Sequence, residues 1–502
     1  MVWRKLKTDS VVRYVCPFLL VVVLRAAPAQ FVADLQSLLT PRDLALSSDG
    51  ARLTYRLGAD WWEISTAAGS KPARLTGRPT AIPTEKIQLP GATRPTSPLR
   101  SPDGAKIGYL DAATPDAALV LRCSCGGETQ MISNLPVRAF QWSADGDSFW
   151  VLTSNGADIA FGRLRMNGRY EQMSQGAALR GPGGFVSAND VAAWVQSDGS
   201  HHGAIWIKNK VDKIYQLWDP NPETAQWSRE WTQVVVIWKN AHGEELQGVL
   251  ARPKGKDRVP LIVDPYSGWQ NRFLNIGVLG NYAFVKAGFA VFFPNHRAPF
   301  AFPAGSFGEA YVGTSKSRDP VDVLTDDVMS GVEQLIRQGI ADRDRMFLYS
   351  FSTGASAIAQ LLTQTQAFRA AVSMGGVADW LGYYRANQPR GDETIPHFLG
   401  GRKPEDSPEL YDRISAARHA DRIKTPLRLI AGDKDSIPGG GSRYQDALAF
   451  AEALRKAGSP VELVVYPGQG HGIDNATLAT EHVRNAIEYF RSHMTAPRPL
   501  PR

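Results

Sequence analysis

From residue 231 onward, short apolar runs alternate with longer helical stretches, and no other feature of this chain limits its fold as strongly. The runs read as strands at 261–263, 289–293, 346–349, 370–373, 427–431 and 461–466. Helical patterning separates them at 279–287, 322–337 and 444–457, and a last helix runs toward Ser492. Strands that are apolar at nearly every position need cover on both faces, so the pattern predicts a mostly parallel, doubly wound sheet. A hairpin-like opening, 234–238 and 245–252 around Ala241-His242-Gly243, precedes it. Ligands bind such sheets outside the carboxyl ends of the strands, so the turns leaving those ends are where chemistry is expected.

Three of those turns carry reactive residues. Ser350-Phe351-Ser352-Thr353-Gly354 lies between the 346–349 strand and a helix starting near Ala355. A sharp strand-to-helix turn of this kind needs small flanking residues and lifts its central serine above the sheet. Glycine is usual at the first position; Ser350 is the next small option and adds crowding. A plain helix N-cap is the alternative for this motif alone, since Ser and Thr are favoured there. Asp435 follows the 427–431 strand, 83 residues after Ser352, with Asp433 as its competitor. His471 follows the 461–466 strand after a further 36 residues, flanked by Gly470 and Gly472. It alone of nine histidines lies in a suitable loop after such a strand. Nucleophile, acid and base in this chain order predict an α/β hydrolase with Ser352, Asp435 and His471 as its triad.

Residues 30–230 read differently, as short period-two strands separated by turns. One phrase recurs as Ser47-Ser48-Asp49-Gly50, Ser101-Pro102-Asp103-Gly104 and Ser143-Ala144-Asp145-Gly146, then in degenerate form as Ser187-Ala188-Asn189-Asp190. The spacings are 54, 42 and 44 residues. In such a turn Asp bonds its own backbone and Gly accepts positive φ. A period of about 40 residues fits one four-stranded propeller blade. About four or five blades are expected in this all-β, propeller-like domain, with closure left open. A generic antiparallel β domain is the alternative.

The net charge of +7 invites a search for polyanionic partners, but its location answers the question. Residues 1–29 hold five basic residues against one acidic, so +4 sits there and +3 in the remainder. Behind that basic start come an apolar run at 14–24 and Ala27-Pro28-Ala29, the order of a secretory signal peptide cleaved before Gln30. Eleven residues including Pro17 fall short of the ~20 that a transmembrane helix needs; Arg25 keeps an uncleaved anchor as the minor alternative. The lysines at 208, 210 and 213 have Asp212 among them and read as a solvated hairpin end, so no nucleic-acid partner is expected. Three cysteines exclude a disulfide-stapled scaffold, and Cys123 and Cys125 with no histidine nearby read as two thiols or a local disulfide rather than a metal site.

Several phrases in the second half resemble the catalytic domain of the prolyl-oligopeptidase family, particularly its dipeptidyl-peptidase and acylaminoacyl-peptidase branches. They are Gly339-Ile340-Ala341-Asp342, Phe368-Arg369-Ala370-Ala371-Val372-Ser373, Gly376-Val377-Ala378-Asp379-Trp380, Pro408-Glu409-Leu410-Tyr411, Ile423-Lys424-Thr425-Pro426 and the run from Val461 to Gly472. With the 289–297 segment the likeness covers about 231–495, and the 30–230 repeats resemble that family's propeller blades. The resemblance implies Ser352 as nucleophile, Asp435 as orienting acid and His471 as general base. It further implies an oxyanion site made by the Tyr266 hydroxyl and the Thr353 amide, and a substrate pocket near Trp380 and Tyr383.

This sequence departs from the family pattern at several places. Ser267 and Trp269 replace small residues after Tyr266, Ala298-Pro299-Phe300 replaces a glycine-rich run, and Ser436-Ile437-Pro438 is shortened ahead of Gly439-Gly440-Gly441. Glu63, Glu85, Glu128, Glu171, Glu223 and Glu230 are isolated, so no Glu-Glu pair of the dipeptidyl-peptidase type is present in the first domain. The expectation is therefore a leader at 1–29, a propeller-like domain at 30–230 and an α/β hydrolase at 231–497. Its function is expected to be that of an exported serine peptidase, periplasmic or extracellular, acting on short peptides without a metal or organic cofactor. An esterase with the same triad and a catalytically weak binding homologue are the alternatives. No membrane span is expected after cleavage, and homo-oligomerisation is open.

Overall fold

The computed structural model describes residues 39–495 except 80–86, 88, 90–94, 112–117, 124–128, 134, 156, 176–183, 198–200, 267–281, 298–318, 390, 392–394, 397–398, 400 and 437–441. The expected leader, Cys125, Ser267, Trp269 and the 298–300 segment therefore lie outside the described residues.

The described residues of the first half form four four-stranded sheets, each made of consecutive strands in chain order. The first holds β1 (Arg42–Leu46), β2 (Arg52–Leu57), β3 (Asp60–Ser65) and β4 (Ala73–Arg74). The second holds β5 (Pro95–Arg100), β6 (Lys106–Asp111), β7 (Ala118–Cys123) and β8 (Thr129–Ser133). The third comprises β9 (Val137–Trp142), β10 (Ser148–Asn155), β11 (Asp158–Arg165) and β12 (Tyr170–Gln175). The fourth comprises β13 (Phe185–Ala188), β14 (Val191–Gln196), β15 (Ala204–Lys208) and β16 (Ile214–Trp218).

The recurring Ser-x-Asp-Gly phrase forms the first turn of three sheets. Ser47, Ser101 and Ser143 each donate to the aspartate two residues on, at 2.6, 2.6 and 2.5 Å. Each aspartate accepts the next turn amide at 3.0 Å, while Gly50, Gly104 and Gly146 take φ of 72, 75 and 73°. The degenerate fourth copy turns instead on Asn189 and Asp190, both at positive φ, which these two residues tolerate better than most.

Alternate strand residues of neighbouring sheets form shared cores. Sheets two and three meet around Phe140, Trp142 and Phe149, and sheets three and four around Trp150, Phe161 and Trp194. The fourth sheet then packs back on the first, Val191, Val195 and Ile205 against Leu44, Leu53 and Tyr55. No strand is exchanged across that seam among the described residues. It is held by this apolar core and by side-chain clasps: Asn221 accepts from the Leu39 amide at 2.9 Å and donates to its carbonyl at 2.7 Å, and Asn189 donates to the Asp49 carbonyl at 3.0 Å. A sequence-last sheet resting on the first is the ring closure of a propeller.

The second half is an eight-stranded sheet, β17 (Trp231–Lys239), β18 (Glu245–Pro253), β19 (Val259–Val263), β20 (Ala290–Pro294), β21 (Ala341–Phe351), β22 (Ala370–Met374), β23 (Leu427–Gly432) and β24 (Val461–Tyr466). Their order is β17-β18-β20-β19-β21-β22-β23-β24. β18 runs antiparallel to both neighbours and the remaining pairs are parallel, which is the α/β-hydrolase arrangement.

The period-two alternation of the strands decides what covers each face. Leu261, Val263, Phe292 and Leu348 face the helices Pro320–Arg337 and Thr353–Leu362. Ile262, Val291, Phe347 and Val372 face Tyr282–Lys286 and Ala476–His493, where Phe347 lies 4.9 Å ring to ring from Phe490. Burying each such side chain contributes ~1.5–3 kcal/mol.

A buried ion cluster ties three segments together on the β17 side of this sheet. Asp327 lies on the apolar face of helix Pro320–Arg337 and is fully buried. Its carboxylate accepts two guanidinium bonds from Arg297 at 2.9 and 2.7 Å, the Arg297 amide at 2.8 Å and Asn240 at 3.0 Å. The helix, the hairpin turn after β17 and the segment after β20 are thereby locked to one another.

Candidate active site

Ser352 follows β21 directly, at φ 57° and ψ −122°, and opens the helix Thr353–Leu362. A positive φ on a non-glycine residue costs roughly 1–3 kcal/mol and persists only where surroundings enforce it. Here the Ser352 amide donates to Met374 of β22 at 2.8 Å, and the helix amides of Ala355 and Ser356 bond back to the Ser352 carbonyl. Among the described residues its hydroxyl caps no helix amide. The hydroxyl instead lies 2.9 Å from His471 Nε2. The N-cap alternative for this serine thus does not describe its side chain.

His471 Nδ1 lies 3.0 Å from Asp435 Oδ2. Asp435 is 2% exposed and follows β23; His471 is about one-third exposed and follows β24. A carboxylate only accepts, so Nδ1 carries the proton and Nε2 is left to accept from the Ser352 hydroxyl. The competitor Asp433 does other work: its Oδ1 accepts the Gly468 amide at 2.7 Å and shapes the turn ahead of His471. Phe351 packs beside the imidazole, ring centroids 4.6 Å apart. A Cβ on Gly375 would sit 3.1 Å from the imidazole and 3.5 Å from Asp435 Oδ2, so a side chain there would crowd both.

Thr353 is the first residue of the helix that Ser352 opens, and Tyr266 follows β19 on the adjacent strand end. A Cβ on Gly354 would fall 2.6 Å from the Tyr266 Cα and 2.0 Å from the Ser350 hydroxyl, so loop and elbow are in direct contact. Tyr266 is half-buried, and burial first, then the Asp264 charge, raises its phenol above the ordinary range. Such a tyrosine keeps its proton at neutral pH and can donate it in a hydrogen bond.

The two expected pocket aromatics part company. Both lie on the helix Trp380–Ala386, 5.9 Å apart edge to face. Trp380 is 6% exposed and belongs to the main core, so its indole packs the helix rather than lining a surface. Tyr383 is only partly buried; Arg443 Nη2 approaches its hydroxyl at 3.4 Å while Arg443 Nη1 lies 3.7 Å from Asp435 Oδ1. Of the two, Tyr383 is the partly exposed one.

Sequence reasoning missed Asp264, His296, Asp327 and Arg443. Asp327 had a signal: it interrupts the apolar stripe of Val321, Leu324 and Val328. Arg443 had none, because its approach to Asp435 exists only across a turn. Among the described residues no group of three or more His, Cys, Asp or Glu side chains could hold a metal ion, and no helix is long and apolar enough to cross a membrane.

Residues 279–496 match the sequence pattern described as the prolyl oligopeptidase family. A probable chloroplastic glutamyl endopeptidase of Arabidopsis thaliana is 26% identical over 53% of this chain and 27% of its own length. The lasso peptide isopeptidase AtxE2 of Asticcacaulis excentricus is 26% identical over 55% of this chain and 39% of its own. The chain thus matches well under half the length of these curated relatives. A puromycin hydrolase crystal structure superposes with a TM-score of 0.64 at 18% identity, covering 92% of this chain and 71% of that one. That likeness extends the shared architecture over both the propeller and the hydrolase.

Proposed function

We propose, from the premise that residues 279–496 are a prolyl oligopeptidase family domain, that this chain is a serine peptidase hydrolysing short peptides through an acyl-enzyme. The observation that carries the reading is the imidazole of His471, bonded at 2.9 Å to Ser352 Oγ and at 3.0 Å to Asp435 Oδ2. The Ser352 oxygen attacks the peptide carbonyl as His471 Nε2 takes its proton, and Asp435 stabilises the imidazolium so formed. The Thr353 amide and the Tyr266 hydroxyl hold the developing oxyanion; one such donor contributes ~10²–10³ in turnover. His471 returns the proton to the leaving amine, and water, activated by the same base, releases the acyl group. By analogy with that family, the propeller-like domain is expected to cover the cleft and limit substrates to short peptides. The basic, apolar and Ala-Pro-Ala order of residues 1–29 supports export.

A fluorophosphonate probe and paired substrates test the reading. The wild type is expected to be labelled, Ser352→Ala to stay unlabelled, and acyl-peptide or Gly-Pro amides to be cleaved alongside p-nitrophenyl esters. Unlabelled wild type, or equal labelling of Ser352→Ala, rejects the nucleophile. Turnover of esters alone rejects the peptidase.

A further inference from the structure

We propose that Asp264 and Ser350 form a positioning pair that fixes the Tyr266 loop against the nucleophile elbow, an inference that rests on the roles given above to Ser352 and Tyr266. Ser350 occupies the elbow position where glycine is usual, and its side chain is not merely tolerated there. It is 2% exposed, and its hydroxyl donates to Asp264 Oδ1 at 2.6 Å. The same oxygen accepts the backbone amide of Tyr266 at 3.0 Å. Asp264 is itself 7% exposed, and a carboxylate so far from water is retained only when hydrogen-bonded. One oxygen therefore joins the strand that carries the nucleophile to the loop that carries the phenol.

The rest of that loop is anchored independently. The Asp264 amide donates to Phe292 of β20 at 2.9 Å, and His296 Nε2 lies 3.0 Å from the Pro265 carbonyl. A carbonyl only accepts, so His296 donates; burial, the dominant effect, depresses its basicity and favours the neutral ring. Three successive residues, 264 to 266, are thus pinned by backbone bonds to three different partners. Gly354 completes the arrangement, since a Cβ there would fall 2.0 Å from the Ser350 hydroxyl. With glycine at 350 the carboxylate would lose the Ser350 donor, and the loop its hydrogen bond to the elbow strand.

Asp264 and Ser350 act through Tyr266 rather than on the substrate, and a displacement of ~1 Å at a reacting centre costs ~10²-fold in rate. Asp264→Ala is therefore expected to lower kcat by roughly 10–100-fold with KM little changed, because an oxyanion donor acts on charge that develops in the transition state. Asp264→Asn keeps an oxygen that accepts both bonds and recovers most of the loss. Ser350→Ala lowers kcat by a smaller factor in the same direction. In a double-mutant cycle, adding either alanine change to Tyr266→Phe produces little further loss, since the donor they position is already gone.

Additive losses in that cycle, a loss confined to KM, or an Asp264→Asn variant as slow as Asp264→Ala overturns the proposal. Should Asp264→Ala fail to fold, the Ser350→Ala cycle decides alone. Fluorophosphonate labelling of Ser352 separates this outcome from failure of the peptidase reading: labelled protein with an additive cycle rejects the pair only. Hydrogen exchange at the Tyr266 amide reads the pair without turnover. Faster exchange in Ser350→Ala supports it, and unchanged exchange overturns it.

Discussion

The first turn of three propeller blades and the turn at Ser352 are both serine turns leaving a strand, yet they dispose of their polar groups in opposite ways. In the blades, Ser143 is fully buried and bonds Asp145, the Ser148 carbonyl and the Ser148 amide, so every demand is met within six residues. Positive φ falls on Gly146, where it costs nothing. At the elbow, positive φ falls on Ser352 itself, and its hydroxyl bonds a histidine 119 residues away. Local satisfaction yields a repeatable structural part; deferred satisfaction leaves a side chain available for chemistry. Backbone strain and long-range polar bonds collect at the second kind of turn because the surrounding sheet can hold them there.

The sharpest way to break this contrast is at the far end of the long-range chain of bonds. Asp435→Asn keeps the shape but presents an amide to His471 Nδ1, favouring the wrong tautomer. Turnover is expected to fall by ~10⁴, about 5.5 kcal/mol of transition-state stabilisation, with unfolding free energy little changed. Steady-state kinetics beside urea unfolding checks both halves of that statement. A variant that loses stability but not turnover would place Asp435 with the blade turns.

A second test uses pH. His482 is buried against Tyr349, and burial, aided by the Arg428 charge, lowers its pKa to about 4. Unfolded, it binds a proton near 6.5. Its contribution is thus complete above that value and is lost as pH falls through 6.5 toward 4. Asp446 opposes it: burial raises its pKa to about 6 even though it accepts the amides of Ala378 and Asp379. A carboxyl raised in the folded state contributes stability below the unfolded pKa and loses it as pH rises through about 6. The two slopes offset in the wild type. In His482→Gln the Asp446 slope is unmasked, and stability relative to wild type should drop by up to ~3 kcal/mol between pH 4 and 6.5. Parallel profiles in urea unfolding would contradict this. The blade-turn aspartates behave differently again, because bonds from Ser47, Ser101 and Ser143 lower the pKa of Asp49, Asp103 and Asp145. Their contribution is present above the unfolded carboxyl pKa and fades only in stronger acid.

The smallest effect is expected in a blade. Ser143→Ala leaves the Ser148 amide without its partner and should cost about 1–2 kcal/mol of stability with kcat unchanged. Thermal unfolding measures the first and ester turnover the second. A fall in kcat would mean that the blades and the elbow are coupled more tightly than their separate hydrogen-bond systems imply.

Much of this was legible from the chain alone. Apolar runs spaced by helical stretches, with Ser352, Asp435 and His471 each in a turn after a strand, prescribe a parallel sheet with those residues at one edge. Periodic Ser-x-Asp-Gly turns prescribe hairpins at blade spacing. Ser350 was legible too, but only as a crowded substitute for glycine; its donation to Asp264 was not. Trp380 and Tyr383 were both legible as pocket candidates, but their difference in burial was not. The Asn221 clasp at the propeller seam reaches Leu39 across 182 residues, a pairing that no local pattern announces.

Sequence by itself determined the elements, their order and the candidate reactive residues, because hydrophobic period, turn chemistry and a strand-end position are properties of neighbours in the chain. Tertiary structure alone decided which polar groups meet beyond those candidates: Ser350 on Asp264, Asp327 on Arg297, Asn221 on Leu39. A buried hydrogen bond is formed by whichever partners the packed sheet brings within 3 Å, and that distance is set by the whole fold rather than by any stretch of it.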